Sequence, residues 1–330
     1  MKLTPRTPTV AALALALCAA LAGCGGDDSP STAGAGDGFP LSVTNCGHEV
    51  TLDKAPERIV TIKSTSTELA LALGLEEKLV GTAFSDGPVP AAYADAAADL
   101  PVLAEKAPSQ EVVLETEPDL VFAGWESNLA ADTAGERETL DRLGVASYVS
   151  PAACQSEDAP EKLTFDLLFD QLGEASRVLG AAEAGERLVD EQRAQLESLG
   201  RVAEGTTALW WSSGTDTPFV GGAVGAPQMV LEQAGLSNVV DVEKTWTSLG
   251  WETVVEADPD VLVLVDAEWN TAASKIKALE SNPATAEMKA VRNKRYLTVP
   301  FPAAEAGVRS VQAVADLLDQ AAEQGLAEQR

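Results

Sequence analysis

Glu111-Val112-Val113-Leu114-Glu115-Thr116-Glu117-Pro118-Asp119-Leu120-Val121 is the stretch that decides the fold. Glu252-Thr253-Val254-Val255-Glu256-Ala257-Asp258-Pro259-Asp260-Val261-Leu262 repeats it in the second half of the chain. In each, a Glu stands seven residues before Pro-Asp and an apolar strand follows. Pro cannot continue a helix, so Glu111 to Glu117 reads as a short helix and Pro118 opens the link to a strand. Pro-Asp before a strand is common turn chemistry on its own. The matched Glu is what points to two related lobes.

Outward from the first copy, Arg58-Ile59-Val60-Thr61-Ile62, Leu79 to Ala83, Asp119 to Ala123 and Val145 to Val149 read as strands. Ser66 to Leu73 and Asp132 to Leu143 read as helices, each stopped by a Gly. Outward from the second copy, strands are expected over Thr207 to Trp211, Val261 to Val265 and Arg295 to Val299. Helices are expected over Pro227 to Ala234, Ala272 to Leu279 and Val308 to Glu323. Alternating strands and helices argue for parallel α/β sheets. Between the halves, Leu163, Leu167, Leu168, Leu172, Leu179, Leu188 and Leu196 recur near helical spacing. They predict one long helix over Glu161 to Leu199, or two nearly continuous ones. The fold class is therefore α/β, with two Rossmann-like lobes (41–157 and 201–330) joined by a helix (158–200).

Charge and residue counts exclude several functions. A net charge of −28 over 330 residues repels phosphates and excludes nucleic acid. There is one histidine, His48, in Asn45-Cys46-Gly47-His48-Glu49, where a surface or turn role is expected. A Ser-His-Asp enzyme would have to use it, and no G-x-S-x-G elbow is present. A zinc site draws on several His or Cys residues. No enzyme activity, metal or cofactor is expected, and the chain is read as a monomer.

The N-terminus speaks to location. Met1 to Arg6 is positive and Val10 to Leu21 is apolar but too short to span a bilayer, which fits a secretory signal peptide over 1–23. Leu21-Ala22-Gly23-Cys24 resembles the lipobox of bacterial lipoproteins, which implies lipidation of Cys24. Residues 24–40 read as a lipidated Cys and a polar, Gly-rich tether. Outside the cytoplasm Cys46 and Cys154 either pair or lie as two separate buried thiols.

In open α/β sheets, ligands bind beyond the carboxyl ends of strands. That rule selects Lys63, Ser64 and Thr65 after the first strand, where a helix N-terminus and the Lys63 charge suit an anion. Plain N-capping by Ser64 or Thr65 is the alternative. The rule next selects Phe84 and Asp86, then Trp125 and Glu126. In the second half it selects Trp211 and Ser212, then Asp266 to Trp269, then Phe301, Glu305 and Arg309. Trp125, Trp246 and Trp269 fall in expected loops, where flat rings would stack on a conjugated ligand. With Lys63 and Arg309 for acid groups, these residues favour a bulky, anionic, partly aromatic ligand over a bare ion.

Several of these features come together in one family. The lipobox, the tether, Ala55-Pro56-Glu57-Arg58-Ile59-Val60, Glu68-Leu69-Ala70-Leu71-Ala72-Leu73-Gly74, Val80-Gly81 and Glu117-Pro118-Asp119-Leu120-Val121 resemble the substrate-binding proteins of ferric-siderophore and cobalamin ABC importers, the class III periplasmic-binding-protein family. The resemblance implies ligand capture in an interlobe cleft and delivery to an ABC permease with its ATPase. It also implies that Glu111 and Glu252 dock permease arginines. Lys63 to Glu68, Gly81 to Pro88, Gly124 to Asn128 and Ser212 to Pro218 are similar to an actinobacterial subgroup proposed to carry a deazaflavin coenzyme precursor. A ferric siderophore or cobalamin is the alternative ligand. A secreted enzyme or a sensor lipoprotein on the same scaffold is the alternative of another class.

Overall fold

Two sheets, one from each half of the chain, organise the molecule. The structure, a computed structural model, describes residues 38–154 and 162–326. The expected signal peptide, Cys24, most of the tether and the expected lobe boundary at 157/158 lie outside the described residues.

The first half opens with an antiparallel hairpin, β1 (Leu41–Asn45) and β2 (His48–Leu52). Its two-residue turn, Cys46-Gly47, has both residues at positive φ, the geometry that matches strand twist. There follow β3 (Ile59–Ile62), α1 (Ser64–Ala72), β4 (Leu79–Ala83), α2 (Ala94–Ala97), β5 (Val102–Ala104), α3 (Gln110–Leu114), β6 (Leu120–Ala123), α4 (Arg137–Arg142) and β7 (Ala146–Val149). The sheet order is β5-β4-β3-β6-β7, and every pairing is parallel. β3 and β6 are wholly buried, as strands covered by helices on both faces must be. The helix expected from Asp132 begins only at Arg137, because Gly135 at φ 109 turns the chain first.

The hairpin is fastened beside β7. The Asn45 side chain donates to the Val149 carbonyl and accepts from its amide, both at 2.8 Å, so it acts as a strand residue would. A disulfide joins Cys46 to Cys154, with Cα atoms 5.1 Å apart and a separation of 108 positions along the chain.

The leucine-rich segment is two helices, α5 (Phe165–Val178) and α6 (Ala182–Ser198). They do not continue one another in space. Gly180 at φ 71 turns the chain back, Gly185 packs on Ser176, and Arg193 pairs with Asp166 at 2.6 Å. The result is an antiparallel hairpin. It begins beside the second half, where the Leu163 amide donates to the Val224 carbonyl. Its tip reaches the first half, where Gly180 faces Ala55 and the Tyr148 hydroxyl donates to Glu174. It then returns, and the Gln192 side chain donates to the Val308 carbonyl.

The second half comprises β8 (Thr207–Ser213), β9 (Phe219–Gly221), α7 (Ala226–Ala234), β10 (Ser237–Asn238), β11 (Trp246–Ser248), α8 (Trp251–Ala257), β12 (Val261–Asp266), α9 (Ala272–Ser281), α10 (Lys289–Arg292), β13 (Tyr296–Pro300) and α11 (Ser310–Glu323). Its sheet runs β11-β9-β8-β12-β13, with β10 added to β8. The expectation of parallel strands needs correction on one side. β9 and β11 are antiparallel, a three-residue edge ladder too short to stand out in the sequence.

The repeated stretch does the same work twice. In both copies the residue before Pro has positive φ, Glu117 at 47° and Asp258 at 43°. In both copies the following Asp latches the neighbouring central strand. Asp119 accepts from the amides of Glu57 and Arg58, and Asp260 from the amide and hydroxyl of Thr207.

Candidate functional site

Lys63 is the centre of the site. It follows β3 and precedes α1, with a φ of 83° that a non-glycine residue rarely adopts. Its side chain is fully buried. The ammonium pairs with Asp86 and lies over three rings, with centroids at 3.5 Å (Trp125), 4.6 Å (Phe84) and 5.0 Å (Phe301). The backbone of Gly124 closes on it. A Cβ there would come within 2.5 Å of the Lys63 Cβ and 2.6 Å of the Thr65 hydroxyl.

Asp86 bonds a second partner. It accepts from the Ser64 amide at 3.3 Å, and its own amide donates to the Ser64 hydroxyl at 2.9 Å. The position at the start of α1 that suits an anion is thus filled by a carboxylate of the same chain. Arg309 is engaged as well. It makes two bonds to Glu68, at 2.5 and 2.6 Å, and one to the Pro88 carbonyl at 2.8 Å. Burial raises the Glu68 carboxyl above its ordinary range, and Arg309 opposes that shift.

Glu305 reaches the first half from beyond β13. It accepts from the Trp125 indole at 2.6 Å and stands 4.0 Å from the Lys63 ammonium. Its other oxygen is buried with no partner. Burial pushes its carboxyl up to about 7, with Lys63 pulling the other way.

These groups form one end of a cleft of about 520 Å³ between the sheets. Of the residues expected to bind ligand, it brings together Thr65, Trp125, Ser212, Trp246, Trp269 and Phe301. Lys63, Ser64, Phe84 and Asp86 are outside the lining, gathered around the Lys63 ammonium, and Arg309 is outside it too, paired with Glu68 beside another cavity. Trp211 is in the core, its indole donating to the Ser213 carbonyl, and Glu126 starts a short turn outside the lining. Trp246 is in β11 and not in a loop; it stacks on Phe219 with centroids 5.6 Å apart and planes 16° off parallel. Trp269 lies edge-on to Phe301 and is 65% exposed. Lys275 fixes the Trp269 loop by donating to the carbonyls of Val265 and Asn270, and burial lowers its amine to about 8.

Sequence reasoning missed Phe219 and Gly124 as lining residues. Phe219 opens the three-residue β9, too short to carry a periodic signal, and Gly124 had no signal beyond its place after β6. A wider groove of about 900 Å³ lies along the helical hairpin and α7; of its lining charges, Arg193 pairs with Asp166, and Glu232 with Lys162 beside the groove.

Two α/β sheets, a helical connection and an aromatic cleft between them define a two-lobed solute-binding protein. The chain belongs to the periplasmic binding protein family, whose profile matches residues 59–303. It is similar, at 27% identity over 91% of this chain and 92% of the relative, to a Bacillus subtilis protein named as an uncharacterized ABC transporter substrate-binding lipoprotein, YvrC. A periplasmic binding protein structure from Veillonella parvula shares the fold, with TM-score 0.73 and 24% identity over 85% of this chain and 96% of that one. A Saccharomonospora viridis structure described as an ABC-type Fe3+-hydroxamate transport system has TM-score 0.70 and 27% identity over 86% of this chain and 99% of that one.

Proposed function

We propose that this chain captures a bulky, ring-bearing small molecule in the cleft and delivers it to an ABC importer. The carrying observation is that aromatic side chains from both halves, Trp125 on one side and Trp246, Trp269 and Phe301 on the other, converge on one cavity of ligand size. The Bacillus subtilis relative, named as an ABC transporter substrate-binding lipoprotein, supports delivery to a transporter. A lipid on Cys24 would hold the protein at the outer face of the membrane. Among the described residues, no helix is long and apolar enough to cross one.

Titration of the purified mature chain tests the binding role, with the intrinsic Trp fluorescence as readout. The panel is a deazaflavin precursor, cobalamin and a ferric hydroxamate siderophore. At least one is expected to quench Trp emission with micromolar affinity, about 8 kcal/mol. If every member binds more weakly than about millimolar, near 4 kcal/mol, the reading fails for these ligands.

Docking is assigned to Glu111 and Glu252. Both are exposed, and each lies in the first turn of the helix before the repeated Pro-Asp turn. Glu111→Ala with Glu252→Ala is expected to abolish uptake by cells and leave ligand binding unchanged. A loss of binding in that variant would refute the docking role.

A further inference from the structure

We infer that the cleft is built for an uncharged or positively charged ring-bearing molecule and not for an anion. The inference rests on the proposal that the cleft is the ligand site, and it names the charge class of what enters.

Three features that could hold an anion are already occupied by groups of the chain itself. Asp86 accepts from the first amide of α1 and takes the Lys63 ammonium. Lys63 has no exposed surface and is closed in by Trp125, Phe84 and Phe301. Arg309 is not in the cleft lining, and its Nε and Nη2 donate to the Glu68 oxygens and the Pro88 carbonyl. An anion entering the cleft would lose its water and gain no full positive charge in exchange, which disfavours its binding.

The wall itself points the same way. Among the described side chains that line the cleft, only Glu305 can carry charge, and that charge is negative. The others are ring faces, hydroxyls and uncharged small or aliphatic groups. Ring faces carry the negative side of the aromatic quadrupole and attract cations. Glu305 has one oxygen on the Trp125 indole and one without a partner, so it can accept from an N–H or O–H of a ligand after a small side-chain shift. Hydroxyls of Thr65, Ser212 and Thr245 accept or donate as required.

The test uses the mature chain and three fluorescent ring probes: neutral N-phenylnaphthylamine, its anionic analogue anilinonaphthalenesulfonate, and cationic aminoacridine. Each is titrated at a pH of about 8, with Trp246→Ala to report whether the probe sits in the cleft. The neutral and cationic probes are expected to bind at least about tenfold tighter than the sulfonate. Trp246→Ala should weaken both by several fold. Glu305→Gln, which keeps the side-chain shape, should erase most of the advantage of the cation over the neutral probe. A sulfonate that binds as tightly as the neutral probe, and loses affinity in Trp246→Ala, overturns the charge inference and leaves the cleft as the ligand site. If Trp246→Ala changes the binding of no probe, the cleft reading falls and the inference falls with it.

Discussion

Glu305 sits between a ring, an ammonium and two other carboxylates, and its proton responds to all of them. Burial holds its carboxyl at about 7 in the fold, against an ordinary value of 4.5. Between those limits the folded chain keeps a proton that the unfolded chain has released. Its contribution to stability is therefore full below about 4.5 and is withdrawn as the pH climbs through about 7, by up to about 3 kcal/mol. Lys63, Asp86 and Glu68 act on the same group, so the comparison must be with Glu305→Gln, which leaves them in place. Urea unfolding at pH values of about 5 and 8 should show the wild type losing more stability on the way up than the variant does. Equal losses would mean that burial is not what moves this group. Lys63 and Asp86 were both legible as cleft-side residues, because each follows a strand end in an α/β pattern. Their mutual pairing was not, since it depends on a distance between two loops and not on spacing along the chain.

At the scale of elements, the Pro-Asp repeat was the most legible part of the fold, and the structure gives its reason. Each Asp carboxylate satisfies the amide at the start of the neighbouring central strand, and each Pro keeps the preceding helix from running on. The hairpin β1-β2 and the edge ladder β9-β11 were not legible, because strands of three to five residues carry little periodic signal. The hairpin is held to β7 by Asn45, by Arg137 and by the disulfide. Cross-linking across 108 residues removes much freedom from the unfolded chain, worth about 4–5 kcal/mol in a chain-entropy account. Cys46→Ser with Cys154→Ser is expected to lower the urea midpoint by a matching amount. A loss below about 1 kcal/mol would show that the hairpin is held by its hydrogen bonds alone.

At the scale of the whole molecule, Arg309 bonds Glu68 and the Pro88 carbonyl, and Glu305 bonds Trp125, tying the two halves among the described residues. Arg309→Ala leaves Glu68 buried with its charge unpaired, which costs about 3–5 kcal/mol. Glu68→Gln removes that charge, so the double variant should recover part of the loss. A double-mutant cycle is expected to give a coupling of at least about 1 kcal/mol, and additive single losses would deny the Arg309–Glu68 pair its role. The two-lobed architecture could be inferred from the repeat and the central leucines, but the path between the lobes could not. Periodicity marks a helix without saying where it points, and only Gly180 turns α5 and α6 into a pair.

That pair has a mechanical consequence. Two rods laid side by side and riveted near their ends, here by Arg193 on Asp166 and by Ser176 on Gly185, behave as a laminated beam. To bend it, one layer must slide along the other, which the rivets resist. The connection is therefore expected to flex and not to fold at a hinge, so a distance between spin labels on the two halves should change little when ligand is added; a large change would deny the pair this stiffness.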